Sequence, residues 1–336
     1  MHTDSGYQLV HLNNGICSVR SLVDEETFHP VVGPVAEAEA LYVNQLQLRE
    51  RIQNTSGEFV VWDVGLGAAA NSLTVLRATR DLPCAIRLVS FDHKIEPLAF
   101  ARQHADALGY FGGYEQHIDE LLRGHHVTFR DGPQSVDWQL YLGDFPAWLA
   151  RLAAARSSLS PRGTSGERAG VRGSLDQSAS SPQPSPPLGE EREKIPPPHA
   201  ILFDAYSPAK NPAMWTLPLF TQLFQMLDPQ RPCALPTYSR STILRVTLLL
   251  AGFFVGVGHA TGKKDETTIA ANSLELLGEP LNLRWLDRAR RSHSAEPLSE
   301  AVHRIAPLTP ESWEKLRQHP QFQGARFGGH ARRSTF

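Results

Sequence analysis

Apolar and polar positions follow two different periods along this chain. Apolar runs of strand length occur at 58–65 (EFVVWDVG), 85–92 (AIRLVSFD), 136–144 (VDWQLYLGD), 200–206 (AILFDAY) and 233–238 (CALPTY). Between them, 69–82, 96–110, 216–227 and 241–253 space their apolar residues three or four apart, which is the helical period. Pro97 suits a first helical turn. After the last of these helices, FVGVG reads as one more strand. Strands that alternate with helices predict an α/β fold built on a doubly wound, Rossmann-like parallel sheet. Four predicted strands carry an acid at the carboxyl end: Asp63, Asp92, Asp144 and Asp204. Open α/β sheets bind ligands at that edge, so these four are candidate site residues.

The pattern fails in one place. Residues 157–198 are rich in Ser, Pro, Gly and Arg and nearly free of large apolar side chains. Such a segment cannot bury enough surface to offset its ordering entropy. It is expected to be a disordered insertion that splits one domain rather than linking two. The organisation expected is then an amino-terminal extension (1–56) packing near the site, a domain formed by 57–156 and 199–280, the insertion, and a carboxy-terminal tail (281–336) with a short helix. TPESWEKLRQHPQF (309–322) has the capped start of such a helix.

Composition adds limits. The 336 residues are 41% hydrophobic and 20% charged, with formal net charge −2, so no bulk basicity points to nucleic acid. Residues 281–336 hold ten basic and five acidic residues, a net of +5. A basic tail of this kind can meet a phosphate backbone, though a solvated end explains it as well. Three cysteines, Cys17, Cys84 and Cys233, lie far apart without metal-ligand spacing. They read as reduced thiols of a cytoplasmic protein, with no metal site. The start MHTDSGYQLV lacks the basic and apolar regions of a leader. The longest apolar run is interrupted by Arg245 and by glycines and is too short to span a membrane.

Two loops carry candidate chemistry. In DVGLGAAAN (63–71), Gly65 and Gly67 allow close backbone approach and expose amides at a helix start. Read as GxGxxA, the loop suits a dinucleotide. Read as acid-x-Gly-x-Gly, it suits S-adenosylmethionine. The later acids favour the second reading. Asp92 stands where ribose hydroxyls lie, Asp144 where a methyltransferase holds its adenine, and Asp204 where it places a methyl acceptor. No hydride-transfer constellation accompanies them. The second loop, FDAYSPAKNPAMW (203–215), joins that acid to aromatics, a lysine and two prolines, Pro208 and Pro212, that stiffen it.

This second loop resembles the DxFxPxKNPxMW signature of the methyltransferase domain in MnmC-type tRNA-modifying enzymes. DVGLGAAANSL resembles that family's glycine loop, with Ala69 in place of its third glycine. TYSRSTILRVTLLLAGF, GKKDET and FHPVVGPVAEAEALYV are similar to three further family segments. The resemblance covers about residues 10–275 apart from the insertion.

It implies a methyltransferase that uses S-adenosylmethionine to methylate the exocyclic amine of 5-aminomethyl-2-thiouridine at tRNA wobble position 34. With no second glycine fingerprint, the chain resembles the stand-alone form, without the flavin domain, so no FAD is expected. The implied partners are tRNA and, functionally, the enzymes that install the aminomethyl group. Asp204 is the implied catalytic residue. Asp63, Gly65, Gly67, Asn71, Asp92 and Asp144 are implied for the cofactor. Tyr206, Pro208, Lys210, Asn211, Trp215, Lys263, Lys264, His29 and Glu37 are implied for the substrate, with Tyr206 and Trp215 placed to stack on the base, Trp215 suited equally to a core anchor, and Lys210, Lys263, Lys264 and Arg245 placed to meet phosphate. Two alternatives stay open: another amine acceptor, or a binding module that has kept the fold without catalysis.

Overall fold

The computed structural model of the chain describes residues 6–158, 195–262 and 265–323. The expected insertion lies almost wholly outside the described residues, as do Lys263 and Lys264. Ten strands are present among the described residues. Strands β1 (Tyr7–His11) and β2 (Cys17–Ser21) form an antiparallel hairpin of their own. The other eight are β3 (Glu58–Val64), β4 (Ala85–Asp92), β5 (His126–Asp131), β6 (Gln134–Leu142), β7 (Ala200–Phe203), β8 (Ala234–Thr237), β9 (Phe254–Gly258) and β10 (Thr267–Ala271). They form one sheet in the order β5-β6-β4-β3-β7-β8-β10-β9.

The middle of this sheet is parallel, as expected: β6, β4, β3, β7 and β8 run the same way. Its two ends differ from the expectation. Strands β5, β10 and β9 are antiparallel to their neighbours. Short returns such as Gly132 between β5 and β6 leave no room for a crossover helix, and a parallel connection needs a dozen or more residues.

The central strands read as unbroken apolar runs because both faces are covered. Phe59 and Val61 of β3 join one buried cluster, while Val60, Trp62 and Val64 join the other. On the first side lie α1 (Pro34–Ala38), the π-helical segment Glu39–Asn44, α2 (Leu48–Gln53), α3 (Ala70–Thr79), α4 (Glu96–Gln103), α5 (Ala105–Leu108) and α6 (Glu115–Gly124). On the second lie α7 (Phe145–Ser158), α8 (Leu217–Met226), α9 (Thr242–Ala251), α10 (Leu283–Arg290), α11 (Pro310–Arg317) and α12 (Pro320–Gln323).

Local chemistry sets the helix starts. The hydroxyls of Thr216, Ser241 and Thr309 accept from Leu219, Leu244 and Ser312 backbone amides, and Asn282 caps α10. The segment from 281 to 323 packs on the domain: Trp285, Leu286, Leu316 and Phe322 are buried. Gln321 bonds the backbone of Val255 through both its oxygen and its nitrogen, so it closes the outer edge of β9. No helix among the described residues is long and apolar enough to cross a membrane.

Strands following β3 go first to one side of it (β4, β6) and then to the other (β7, β8). This reversal opens a crevice at the carboxyl ends of β3, β4 and β7.

Candidate active site

A cavity of about 460 Å³ fills that crevice, within the range of small-molecule sites. The glycine loop forms its floor. Gly65 has φ +93°, and a Cβ there would stand 2.8 Å from the Asp204 carbonyl oxygen. The floor and the 204–215 loop are therefore pressed together where only glycine fits. Gly67 donates its N–H to Asp92 Oδ2 at 2.8 Å. Ala69 adopts a left-handed conformation at the start of α3 (φ 61°) and is fully buried. It is not among the cavity-lining residues, so its methyl group does not occupy ligand space.

The acids divide into two groups. Asp92 and Asp204 line the cavity and are mostly covered, while Asp144 stands at its exposed rim, where Oδ1 accepts from Ala147 N and starts α7. Asp63 lies beneath the floor rather than on it. It is fully buried, accepts from the hydroxyls of Ser72 and Ser90, and ties α3 and β4 to β3. Burial, opposed by those hydroxyls, pushes its carboxyl from the ordinary 3.8 to about 7.

Asp204 directly follows β7. Its Oδ2 accepts from Asn71 Nδ2 at 2.8 Å and lies 3.5 Å from His29 Nε2. His29 Nδ1 is 3.8 Å from Glu37 Oε1, an ion-pair rather than a hydrogen-bond separation. One donor atom from each of His29, Glu37 and Asp204 falls within 4.8 Å of the others. Burial works against charging His29, but Asp204 and Glu37 outweigh it and hold its pKa at about 9. The ring is therefore an imidazolium at neutral pH, and it supplies the positive charge that two carboxylates at this spacing require.

The 204–215 loop is fixed from behind. Trp215 is buried, meets Phe203 edge-on, and donates its indole N–H to the Tyr206 carbonyl at 2.7 Å. It does not line the cavity, and neither does Pro208. Of the two roles the sequence left open for Trp215, anchor and stacking surface, the structure fits the anchor, because the apolar wall behind the loop is where its area can be buried. Tyr206 does line the cavity, half-buried beside Phe28 at a centroid distance of 5.7 Å. Asn211 also faces the cavity. It precedes the turn Pro212–Trp215, yet its side chain makes no capping bond. Lys210 lies at the rim, 3.4 Å from Glu25. Arg245 departs from its expected place near phosphate: it is buried, bonded to Thr268, Glu266 and the Thr267 carbonyl.

The amino-terminal segment supplies residues that periodicity could not place. Phe28, Asp24 and Glu26 line the cavity. Glu26 accepts from both the amide and the hydroxyl of Ser207, each at 3.3 Å. Tyr42 and Tyr238 donate to the carbonyls of Phe203 and Ala205, which brace the acceptor loop. Only the family-like segment around FHPVVG gave any signal here; it aligned His29, Gly33 and Glu37 and offered His29 and Glu37 as site residues.

The cavity suits S-adenosylmethionine on its own chemistry. Asp92 offers a carboxylate for paired hydroxyls, and Phe91 and Phe145 offer apolar walls for a purine. Asn71 Oδ1 is buried without a hydrogen-bond partner among the described residues, an acceptor suited to an amino group. The acid-rich lining suits a sulfonium.

Fold and site together resemble those of S-adenosylmethionine-dependent methyltransferases. A family model described as S-adenosyl-L-methionine-dependent methyltransferase matches residues 190–273. Within that class the chain is similar to the protein named tRNA 5-methylaminomethyl-2-thiouridine biosynthesis bifunctional protein MnmC. It is 24% identical to the Cupriavidus metallidurans protein over 73% of this chain and 31% of that one. It is 22% identical to the Saccharophagus degradans protein over 68% of this chain and 30% of that one. The chain thus spans about a third of the length of these relatives. The solved structure of MnmC2 from Aquifex aeolicus shares the fold, with a TM-score of 0.59 and 16% identity, over 95% of this chain and 84% of that one.

Proposed function

We propose that this protein transfers a methyl group from S-adenosylmethionine to the exocyclic amine of 5-aminomethyl-2-thiouridine at tRNA position 34. The product is 5-methylaminomethyl-2-thiouridine. The observation that carries this reading is Asp204: an acid held by Asn71 and His29 at the junction of the glycine floor and the KNPAMW loop. Its placement fits an ammonium-bearing acceptor. The similarity to MnmC, whose name specifies this tRNA nucleoside, supports the choice of acceptor.

When bound, S-adenosylmethionine supplies an electrophilic methyl group on a sulfonium. The chain's residues supply alignment, which is most of what an in-line displacement needs. Asp204 accepts a hydrogen bond from the incoming amine and orients its nitrogen. Tyr206 offers the wobble base a face, where stacking is worth roughly 1–3 kcal/mol. Asp92 and Asn71 fix the donor, and Phe28 and the amino-terminal segment cover it from water. The reaction places the protein in the cytoplasm with its tRNA, downstream of the enzymes that install the aminomethyl group.

A second acceptor class has one observation in its favour. The cavity mouth carries Asp24 and Glu26, and its Lys210 is engaged by Glu25, which suits a small cationic amine better than a polyanion. The test is transfer of label from S-adenosylmethionine to tRNA lacking this modification, followed by digestion to nucleosides. Label in 5-methylaminomethyl-2-thiouridine, lost with Asp204→Ala, is the expected result. Cofactor binding with label only in small amines would transfer the assignment to the second class.

A further inference from the structure

An acceptor amine enters as an ammonium and must lose a proton before its nitrogen can attack. Asp204 is the obvious recipient, but its geometry argues for another role. Its Oδ2 already faces Asn71 Nδ2 and His29 Nε2, so that oxygen is engaged before the amine arrives. The histidine beside it is unusual in three ways. It has a left-handed backbone at φ 47°, rare for a side-chain-bearing residue. Its side chain is only 9% exposed, yet it borders the cavity. Its Nδ1 is buried and faces Glu37 Oε1 at 3.8 Å. Strain of this kind persists only where the surroundings enforce it.

We propose that His29, set between Asp204 and Glu37, is the proton acceptor for the ammonium of the methyl acceptor, with Asp204 orienting the amine and Glu37 the ring. This rests on the proposed methyl transfer to an amine. The charged groups that act on His29 are Asp204, Glu37 and Asp63, all acids. Nearby, Tyr42 and Tyr238 are held neutral by burial, and Glu26 faces Tyr238. The empty site therefore keeps the ring protonated. Entry of two cations, a sulfonium and an ammonium, opposes that charge, so His29 releases its proton to solvent.

The neutral ring then takes one proton from the acceptor ammonium. The amine lone pair forms the N–C bond as the methyl–sulfur bond breaks, and that bond's electrons stay on sulfur. Secondary ammonium and neutral thioether leave, and His29 is again an imidazolium. The balance is one proton released per methyl transferred.

The test has two arms. In the first, ring-¹⁵N histidine NMR follows His29 titration in the whole protein, with and without S-adenosylmethionine, and then with methylamine added as a probe cation. A fall of at least one pH unit in the His29 midpoint on binding is expected, and an unchanged midpoint overturns the proposal. In the second, kcat is measured against pH for the wild type, His29→Gln and His29→Asn. Asn tolerates the left-handed backbone, which separates chemistry from folding. Both variants should lose roughly 100-fold or more in kcat and lose the rising limb that reports His29, while cofactor affinity stays within a few-fold. Unchanged kcat and pH profile in a folded variant overturn the proposal. Wild type that binds cofactor but never methylates tRNA overturns the acceptor assignment instead, and the NMR arm still decides the role of His29.

Discussion

At the scale of single residues, the site depends on charges held where water cannot screen them. Asp63 shows the cost. Its folded pKa of about 7 lies above the ordinary 3.8, so its contribution to stability is complete below pH 3.8 and is lost as pH rises through 7. Asp63→Asn keeps an acceptor for Ser72 and removes the titration. Unfolding free energy measured by denaturant between pH 4 and 7 should fall for the wild type and stay flatter for the variant. Parallel curves would mean that the carboxylate is ionised at no cost. His29 has the same sign at a higher pH: its ion pairs with Asp204 and Glu37 contribute fully below pH 6.5 and are lost as pH rises through about 9.

At the scale of elements, the acceptor loop stays rigid because it is bonded on three sides. Trp215 holds the Tyr206 carbonyl, Tyr238 holds that of Ala205, and Glu26 holds Ser207. None of these bonds is regular secondary structure, which the loop's prolines exclude. Trp215→Phe preserves most of the buried area and removes one bond to a carbonyl. It should lower stability by about 1 kcal/mol, measured by denaturant unfolding. The loosened loop should reduce kcat more than cofactor affinity. If affinity for S-adenosylmethionine fell as far as kcat, the loop would be supporting the cofactor rather than the acceptor.

At the scale of the molecule, the carboxy-terminal residues are part of the domain. Residues 281–323 bury Trp285, Leu286, Leu316 and Phe322 and cover the outer sheet edge through Gln321. Each such side chain is worth roughly 1.5–3 kcal/mol, and an uncovered strand edge invites pairing between molecules. A chain ending at 280 should therefore aggregate or unfold, visible as loss of a cooperative thermal transition. A chain ending at 323 should fold normally. It removes three arginines, Arg326, Arg332 and Arg333, which lie outside the described residues. If they meet tRNA, the slope of log affinity against log salt should decrease by roughly two to three. An unchanged slope would assign RNA binding to other cations.

The sequence by itself determined the central sheet, the acids at its carboxyl edge and the two loops that carry chemistry. Each of these is a local signal: a strand buried on both faces is an apolar run, a tight turn needs glycine, and an acid after a strand is visible in the chain. Only the tertiary structure decided how the acids divide, with Asp63 under the floor and Asp92 and Asp204 on the cavity, because the strand register sets Asp63 level with Ser90 and Leu202, two positions short of Asp92 and Asp204. It alone showed that Trp215 and Arg245 are buried supports and that Phe28, Glu26, Tyr42 and Tyr238 complete the site. Those contacts join residues as far as 181 positions apart. A period counted over neighbouring residues carries no information about them. The pairing of His29 with Asp204 and Glu37 is of the same kind, since its charge depends on acids that only the folded chain brings together.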